Sequence, residues 1–399
     1  MSKRTIVILP GDGIGRAVLD ASLRVLKAAG FEADYQEADI GWEFWKNEGN
    51  PLPQRTLDLI AEHKIALFGA ITSKPKDAAT EELSSSFKDK GLIYSSPIVK
   101  LRQHFGLDIC MRPCHTYTGN PLNFIRRSAD GGVEEPEVDV VIFRQNTEGL
   151  YSGVEWSNPQ SEILDGLMSH PNYKKNFGNV PAVDISISTR IFTKKSTERI
   201  LRAAFEHAQK YNYNSVTLCE KPNVLRETSG MMYKMALEMQ KNDFPEIELW
   251  NTNVDAQMMW LTKNPENYGV IVAGNLFGDI ISDGFAGLIG GLGFACSAQY
   301  NPDTGIGVFE PTHGSAPKYA DFPVSIVNPI AMIESACMML DFIDEQSIAA
   351  NIRKAVAELI EEGKVRTYDM LKMVGRPGVI QQGAASTDAI ADAIIAKMV

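Results

Sequence analysis

The 399-residue sequence predicts an α/β fold, a sheet covered by helices, with a second domain inserted in its middle. Three observations carry that prediction. Strand and helix signals alternate through the first seventy residues, and they resume after residue 194. The composition, 44% hydrophobic and 22% charged, is that of an ordinary globular chain. At roughly 100–200 residues per domain, the length allows two or three domains. No internal repeat or low-complexity tract competes with this reading.

Taken in order, residues 5–9 read as a buried strand and residues 11–15 as a tight loop. Residues 16–29 read as a helix, with Val18, Ala21, Val25 and Ala28 at helical spacing. A strand over 32–37, a helix over 53–63 and a strand over 65–68 complete a βαβαβ succession. The polar stretch 74–90, rich in Ser, Glu and Lys, reads as a mobile loop. Strand signals return over 107–117 and 138–143, while 156–180 is loop-like. Helices are expected over 194–210 and 229–241, with a strand over 215–219 between them. A Gly-rich helix after Gly278, a loop over 301–327, and helices over 329–344 and 347–362 follow.

Acidic residues outnumber basic ones by 50 to 39, a net charge of −11, which argues against a nucleic-acid partner. The apolar segment 5–9 is too short for a secretory leader. The least polar window, 269–296, contains Asp279 and Asp283 and is a poor membrane span. Five scattered cysteines without zinc-site spacing suit reduced thiols, so the expected location is cytoplasmic.

Several residues could carry chemistry. Gly11-Asp12-Gly13-Ile14-Gly15 lies where a strand turns into a helix. There glycine admits an anion to backbone N–H groups, or simply makes a tight turn. Its third glycine comes one residue early for a dinucleotide fingerprint, in which Asp39 would be the ribose-binding acid. Asp279 and Asp283 share one face of a helix starting near Gly278. They are candidate ligands for Mg²⁺ or Mn²⁺, or else a double helix cap. Arg102, Arg112 and Arg144 each adjoin strand-like sequence, and three arginines suit a di- or tricarboxylate. Tyr151 and Lys221 are plausible acid–base groups. The run from Glu310 to Tyr319, with His313, Ser315, Lys318 and Tyr319, could address a nucleotide.

Together these pieces resemble the metal-dependent β-decarboxylating dehydrogenases: isocitrate, isopropylmalate, homoisocitrate and tartrate dehydrogenases. The motifs run in order along nearly the whole chain. They are Gly11–Gly15, Leu101-Arg102-Gln103, Met111-Arg112-Pro113, Phe143-Arg144-Gln145-Asn146-Thr147-Glu148, Lys221-Pro222-Asn223, Asn253-Val254-Asp255, the stretch 274–283 and the stretch 310–317. The resemblance implies the isocitrate/isopropylmalate dehydrogenase-like fold, which is not a Rossmann fold. It divides the chain into a large cofactor-binding domain (1–107 and 290–399), a small domain with the dimer interface (108–150 and 185–289) and a clasp-like arm (151–184).

The resemblance also implies roles. Arg102, Arg112 and Arg144 would bind the carboxylates of a 2-hydroxy-3-carboxy acid, with Ser96 near its variable arm. Asp279 and Asp283, with Asp255 from the other subunit of a homodimer, would hold Mg²⁺ or Mn²⁺. Lys221, also from the second subunit, would help remove the hydroxyl proton, and Tyr151 would protonate C3 after CO₂ leaves. Ser73, Asn223, His313, Gly314, Ser315, Ala316 and Asn328 would meet the cofactor. Lys318 and Tyr319, with Tyr368 and Lys372, suit the 2′-phosphate of NADP, where NAD-using members usually carry Asp-Ile. Gly153-Val154-Glu155-Trp156 and Ser96 resemble isocitrate dehydrogenases. Tyr94-Ser95-Ser96-Pro97-Ile98-Val99 resembles homoisocitrate enzymes, while Ile98 stands where many isocitrate enzymes have Asn and Phe68 replaces a Lys of the bacterial isocitrate pattern. The implied activity is NADP-linked decarboxylation of isocitrate. NAD-linked homoisocitrate or isopropylmalate oxidation is the alternative, and a non-catalytic regulatory subunit stands further off.

Overall fold

The strands of the structure, a computed structural model describing residues 3–398 apart from the Lys76 side chain, number as follows in chain order. They are β1 (Arg4–Gly11), β2 (Ala33–Glu37), β3 (Ile65–Ala70), β4 (Ile109–His115), β5 (Arg126–Arg127), β6 (Val133–Glu134), β7 (Asp139–Gln145), β8 (Glu155–Ser157), β9 (Ser186–Ser188), β10 (Ser215–Glu220), β11 (Glu248–Asn253), β12 (Val270–Ala273), β13 (Cys296–Asn301) and β14 (Ile306–Pro311). β5 pairs with β6, and β8 with β9, as separate ribbons. The other ten form one continuous sheet in the order β11-β10-β12-β7-β4-β13-β14-β3-β1-β2. Both flanks are parallel. Direction reverses only at the centre, where β7, β4, β13 and β14 pair antiparallel.

Alternation along the strands explains why helices cover both faces. Ile6 and Ile8 of β1, with Ile65 and Leu67 of β3, join one core, while Val7, Leu9, Ala66 and Phe68 join another. The first core continues beneath the far flank through Val140, Ile142, Ile271 and Ala273. Residues 141, 143, 270 and 272 face a third cluster under the Lys194–Lys210 and Thr228–Asp243 helices. The Ile330–Phe342 helix is buried almost throughout, so apolar residues occur on every side of it, with Glu334 and Ser335 buried among them. Each large side chain buried this way contributes roughly 1.5–3 kcal/mol.

Four sequence expectations need correction. The stretch 74–90 contains a helix, Lys76–Glu81, and a 3-10 turn, Lys88–Lys90. Its buried Ala79 and Leu83 pack on Trp42 and Trp45, a contact with residues far upstream that local polarity conceals. The stretch 156–180 contains the helices Ser161–Met168 and Pro171–Phe177. Neither buries a residue, although Ile163, Leu164, Leu167 and Met168 recur at helical spacing on the first, a short signal that the surrounding Asn, Pro, Ser and Gly conceal. The loop expected over 301–327 contains β14, wholly buried between β13 and β3. Finally, the Gly-rich helix spans Asn275–Leu288 and begins after Gly274, not near Gly278. Among the described residues no helix is long and apolar enough to cross a membrane.

Candidate active site

A cleft of about 540 Å³ opens at the sheet centre, between the segment 70–74 after β3, the start of the Pro97–Phe105 helix and the segment 310–317. Ser96, Ile98, Arg102 and Arg112 line it, as do Ser73, His313, Gly314 and Ser315. Ser96 precedes its helix but spends no side-chain hydrogen bond on capping, which leaves the hydroxyl for the cleft.

The register of β4 and β7 brings two of the arginines together. Arg112 lies opposite Ile142 and Cys110 opposite Arg144, so both guanidiniums project from one face as diagonal neighbours. Arg144 is almost wholly buried, and its Nε and Nη2 donate to Asn275 Oδ1 at 2.9 and 2.8 Å. Its Nη1 pairs with Asp279. Arg112 Nη1 donates to Asp279 Oδ1 at 3.0 Å and to Ser282 Oγ at 2.7 Å, and lies 3.6 Å from Asp283 Oδ1. Arg102 is held from the opposite wall, Nε to Gln299 Oε1 at 2.5 Å and Nη2 to Glu310 Oε1 at 3.0 Å. Arg112 Nε is buried without a protein partner. A cleft lined by Arg102 and Arg112, with Arg144 buried behind it and such an orphan donor, suits a ligand of several carboxylates.

Asp279 stands at the centre of this cluster. Its second oxygen accepts the Tyr151 hydroxyl at 2.6 Å. Burial alone would raise its pKa, but Arg144 and Arg112 outweigh burial and hold it below the ordinary range. Asp283, one turn on, is pushed up by burial, with Arg112 opposing. Tyr151 is raised by burial and by its bond to Asp279, and so keeps its proton. Arg144 is pulled down to about 10 by burial and by the nearby Arg112 and Arg102. Because the helix starts at Asn275, Asp279 sits in its second turn and its carboxylate goes to arginines. That disposes of the double-cap reading. Gly278 lets the helix lie close, since a Cβ there would come within 2.8 Å of the Arg144 side chain.

Lys221 and Asp255 form an ion pair at the adjacent C-terminal ends of β10 and β11. Neither lines the cleft of its own chain. Among the described residues, no three His, Cys, Asp or Glu side chains converge as metal ligands. Asp279 and Asp283 offer hard oxygen donors of the kind a divalent cation takes, one helical turn apart, and Arg112 Nη1 stands between them at 3.0 and 3.6 Å. A third oxygen donor has to come from outside this cluster.

The expected cofactor residues fall mainly on two segments. In the first, Ser315 Oγ bonds Thr72 Oγ1 at 2.6 Å, and Ala316 adopts a left-handed φ of 37°. The His313 ring is kept neutral by burial, and its Nε2 has no protein partner. The Lys318 ammonium lies 4.6 Å from the Tyr319 ring centre, and Tyr319 meets Tyr368 of the second segment at 5.6 Å. Their hydroxyls interact, and the bond from Tyr368, with Lys318 nearby, lowers the Tyr319 pKa. Lys372 is exposed on the same segment as Tyr368, and Asn328 Nδ2 donates to Asp369 Oδ2 at 3.3 Å. Asn223 lies in the exposed turn after Lys221.

The glycine loop is not an anion cradle. Ile14 N–H donates to Ser315 O at 3.0 Å, Asp12 N–H to Ala70 O at 2.8 Å and Gly15 N–H to Asp12 O at 3.0 Å. A Cβ on Gly11 would stand 1.9 Å from Ala70 O, and one on Gly13 2.1 Å from Ser315 O. The glycines therefore serve close packing against the cleft segments. Asp39 is tied to Arg55 at 2.5 Å and does not line the cleft. Sequence reading missed Gln299 and Asp12. Asp12 accepts Trp42 N–H at 2.7 Å and Thr72 N–H at 2.8 Å. The only local signal for Gln299 is an amide inside an otherwise buried strand.

Residues 5–394 match the family model described as isocitrate/isopropylmalate dehydrogenase. The chain belongs to this family. Isocitrate/isopropylmalate dehydrogenases are oxidoreductases that oxidise and decarboxylate small hydroxy acids, generally with NAD(P) and a divalent metal, and they typically dimerise. The chain is 38% identical to "Protein DlpA" of Legionella pneumophila over 98% of its own length, spanning 58% of that protein. It is 37% identical to a homoisocitrate dehydrogenase of Methanocaldococcus jannaschii, over 90% of this chain and 91% of that one. It is 35% identical to an isocitrate/homoisocitrate dehydrogenase of Thermus thermophilus, over 98% and 97% respectively. Among solved structures, an isocitrate dehydrogenase from Methylococcus capsulatus superposes with a TM-score of 0.80 at 33% identity, covering 99% of both chains.

Proposed function

We propose that the chain is a homodimeric, NADP-dependent isocitrate dehydrogenase in which two subunits build each active site. The observation that carries this reading is the arginine cluster, in which Arg102, Arg112 and Ser96 line one cleft and the buried Arg144 stands behind it, tied to Arg112 through Asp279. Guanidiniums fixed on the cleft wall and close behind it suit a substrate with several carboxylates and would orient it before any bond is broken.

Asp279 and Asp283, with Asp255 of a second copy, would hold Mg²⁺ or Mn²⁺ as a Lewis acid at the C2 oxygen, and NADP on the 313–319 segment with Tyr368 would supply the hydride acceptor. Lys221 of the second copy takes the C2 hydroxyl proton as hydride leaves that carbon. Loss of CO₂ from the 3-carboxy-2-oxo acid leaves an enolate, and Tyr151 gives C3 its proton. Burial and Asp279 keep that phenol protonated until then. Lys318 and Tyr319 favour NADP because a lysine pairs with a 2′-phosphate, which a carboxylate would repel.

One observation favours a second reading. Ile98 lines the cleft beside Ser96, and an apolar wall there suits the longer or apolar arm of homoisocitrate or 3-isopropylmalate. Reduced-cofactor formation with Mg²⁺, comparing the three acids with NADP and with NAD, decides between the readings. The expected result is fastest turnover with isocitrate and NADP. Turnover of homoisocitrate or 3-isopropylmalate alone would transfer the assignment to the Ile98 reading.

A further inference from the structure

Outside the cleft, Glu220 is a fully bonded charged group whose side chain is wholly buried. Arg190 Nη2 donates to its two oxygens at 2.9 and 2.8 Å, Ser229 Oγ at 2.6 Å and Gly274 N–H at 2.8 Å. Arg190 Nη1 donates in turn to Thr228 Oγ1 at 2.6 Å and Ser229 Oγ at 3.2 Å. Its guanidinium lies 4.3 Å from the Phe192 ring centre and 5.1 Å from that of Phe277. Gly274 is built to this junction: a Cβ would stand 2.5 Å from Glu220 Oε1 and 2.6 Å from Phe192 Cζ.

A buried ion pair seldom adds net stability over apolar packing, so a fully bonded one calls for another account. What this pair joins supplies it. Glu220 is followed directly by Lys221, and Ser229 lies in the first turn of the Thr228–Asp243 helix. Gly274 opens the helix that carries Asn275, which holds Arg144, and Asp279. The carboxylate also meets that helix at its N-terminus, where negative charge is favoured.

We propose that Arg190 and Glu220 are positioning residues that couple the two active sites of the dimer. The pair sets Lys221, which serves the second copy's cleft, against the Asn275–Asp279 turn, which serves its own. This rests on the shared-site reading proposed above. A shift at one cleft is thereby transmitted to the lysine of the other.

Subunit-mixing kinetics test it. Lys221→Met and Asp279→Asn chains, each inactive alone, should complement when mixed, because one cleft of the heterodimer keeps Asp279 from one chain and Lys221 from the other. Glu220→Gln is then added to one chain at a time. On the chain supplying Lys221 it should lower kcat on the order of tenfold with KM for isocitrate unchanged. On the chain supplying Asp279 it should raise KM on the order of tenfold, through Asn275 and Arg144. Glu220→Asp should recover part of both effects. Arg190→Lys, which keeps the charge but loses the two-pronged grip, should reproduce the pattern if Glu220→Gln does not fold. An effect from only one of the two placements, or the same uniform loss from both, overturns the coupling. Failure of the parent pair to complement overturns the shared site first, and the coupling with it.

Discussion

The Tyr151 hydroxyl donates to Asp279 Oδ2 at 2.6 Å, while the Arg144 guanidinium lies 5.0 Å from the centre of the same ring. The phenol is therefore aimed from its tip and from its face by groups that belong to the arginine cluster. Tyr151→Phe keeps the ring over Arg144 and removes only the proton donor. Stability should fall by about 1.5–3 kcal/mol, the worth of a hydrogen bond to a charged group. The kcat should fall by roughly 10²–10⁴, as for loss of a general acid, with little change in KM. Steady-state kinetics beside a thermal melt separate the two effects. A near-normal kcat would remove Tyr151 from proton transfer.

Divalent metal should stabilise the fold through the two aspartates. At a hundredfold excess over Kd, binding adds about 2.7 kcal/mol and raises the melting temperature. The two variants should differ in an instructive way. Asp279→Asn strips Arg144 and Arg112 of their shared countercharge, and breaking a buried pair costs about 3–5 kcal/mol even without metal. Asp283→Asn leaves that pairing intact, because Asp283 is largely exposed and touches Arg112 only at 3.6 Å. It should melt like the parent in EDTA and lose the rise with Mg²⁺ or Mn²⁺. A full metal-dependent rise in Asp283→Asn would place the metal elsewhere.

Cofactor choice is open to a double exchange. Lys318 is exposed, while Tyr319 is half-buried against Phe322 and Tyr368, so Lys318→Asp with Tyr319→Ile should keep the fold at some cost in stability. Losing a charge-assisted bond to a 2′-phosphate is worth about 1.5–3 kcal/mol, which predicts a loss of roughly tenfold to a hundredfold in kcat/KM for NADP. The introduced carboxylate should improve NAD over the parent. Kinetics with both nucleotides check this, and an unchanged preference would free the pair from reading the phosphate.

Much of the site was legible in the sequence because its chemistry depends on residue types that stand out. Arginines beside strand-like sequence and two aspartates four apart announce themselves, and the structure joins Arg112 and Arg144 through the single carboxylate of Asp279. Strands such as β1 and β3 were legible because burial on both faces makes them apolar throughout. What escaped depends on distant partners. Ala79 and Leu83 are ordinary in a polar stretch until Trp42 and Trp45 pack on them. Glu220 looks like any acid before a lysine, and only the fold brings Arg190 to it. Gly13 looked like an anion loop because the same conformational freedom serves a close backbone contact, here with Ser315.

A last prediction concerns acid stability. His207, in the Lys194–Lys210 helix, packs its ring 5.2 Å from Phe143 and 4.5 Å from Tyr211. Burial, with Lys210 nearby, pushes its pKa from 6.5 down to about 4. The sign follows from which state takes the proton. Above pH 6.5 the ring is neutral in both states and contributes no pH dependence. Between 6.5 and about 4 only the unfolded chain binds the proton, so stability falls by about 1.4 kcal/mol per pH unit. Below about 4 both states are protonated and the contribution is flat. The helix packs on β7, whose Phe143 adjoins Arg144, so loosening here should reach the arginine cluster. His207→Leu cannot titrate and should show a shallower loss of stability on acidification. Denaturant midpoints measured on either side of pH 6.5 for both proteins check this, and parallel slopes would show that other groups govern the acid limb.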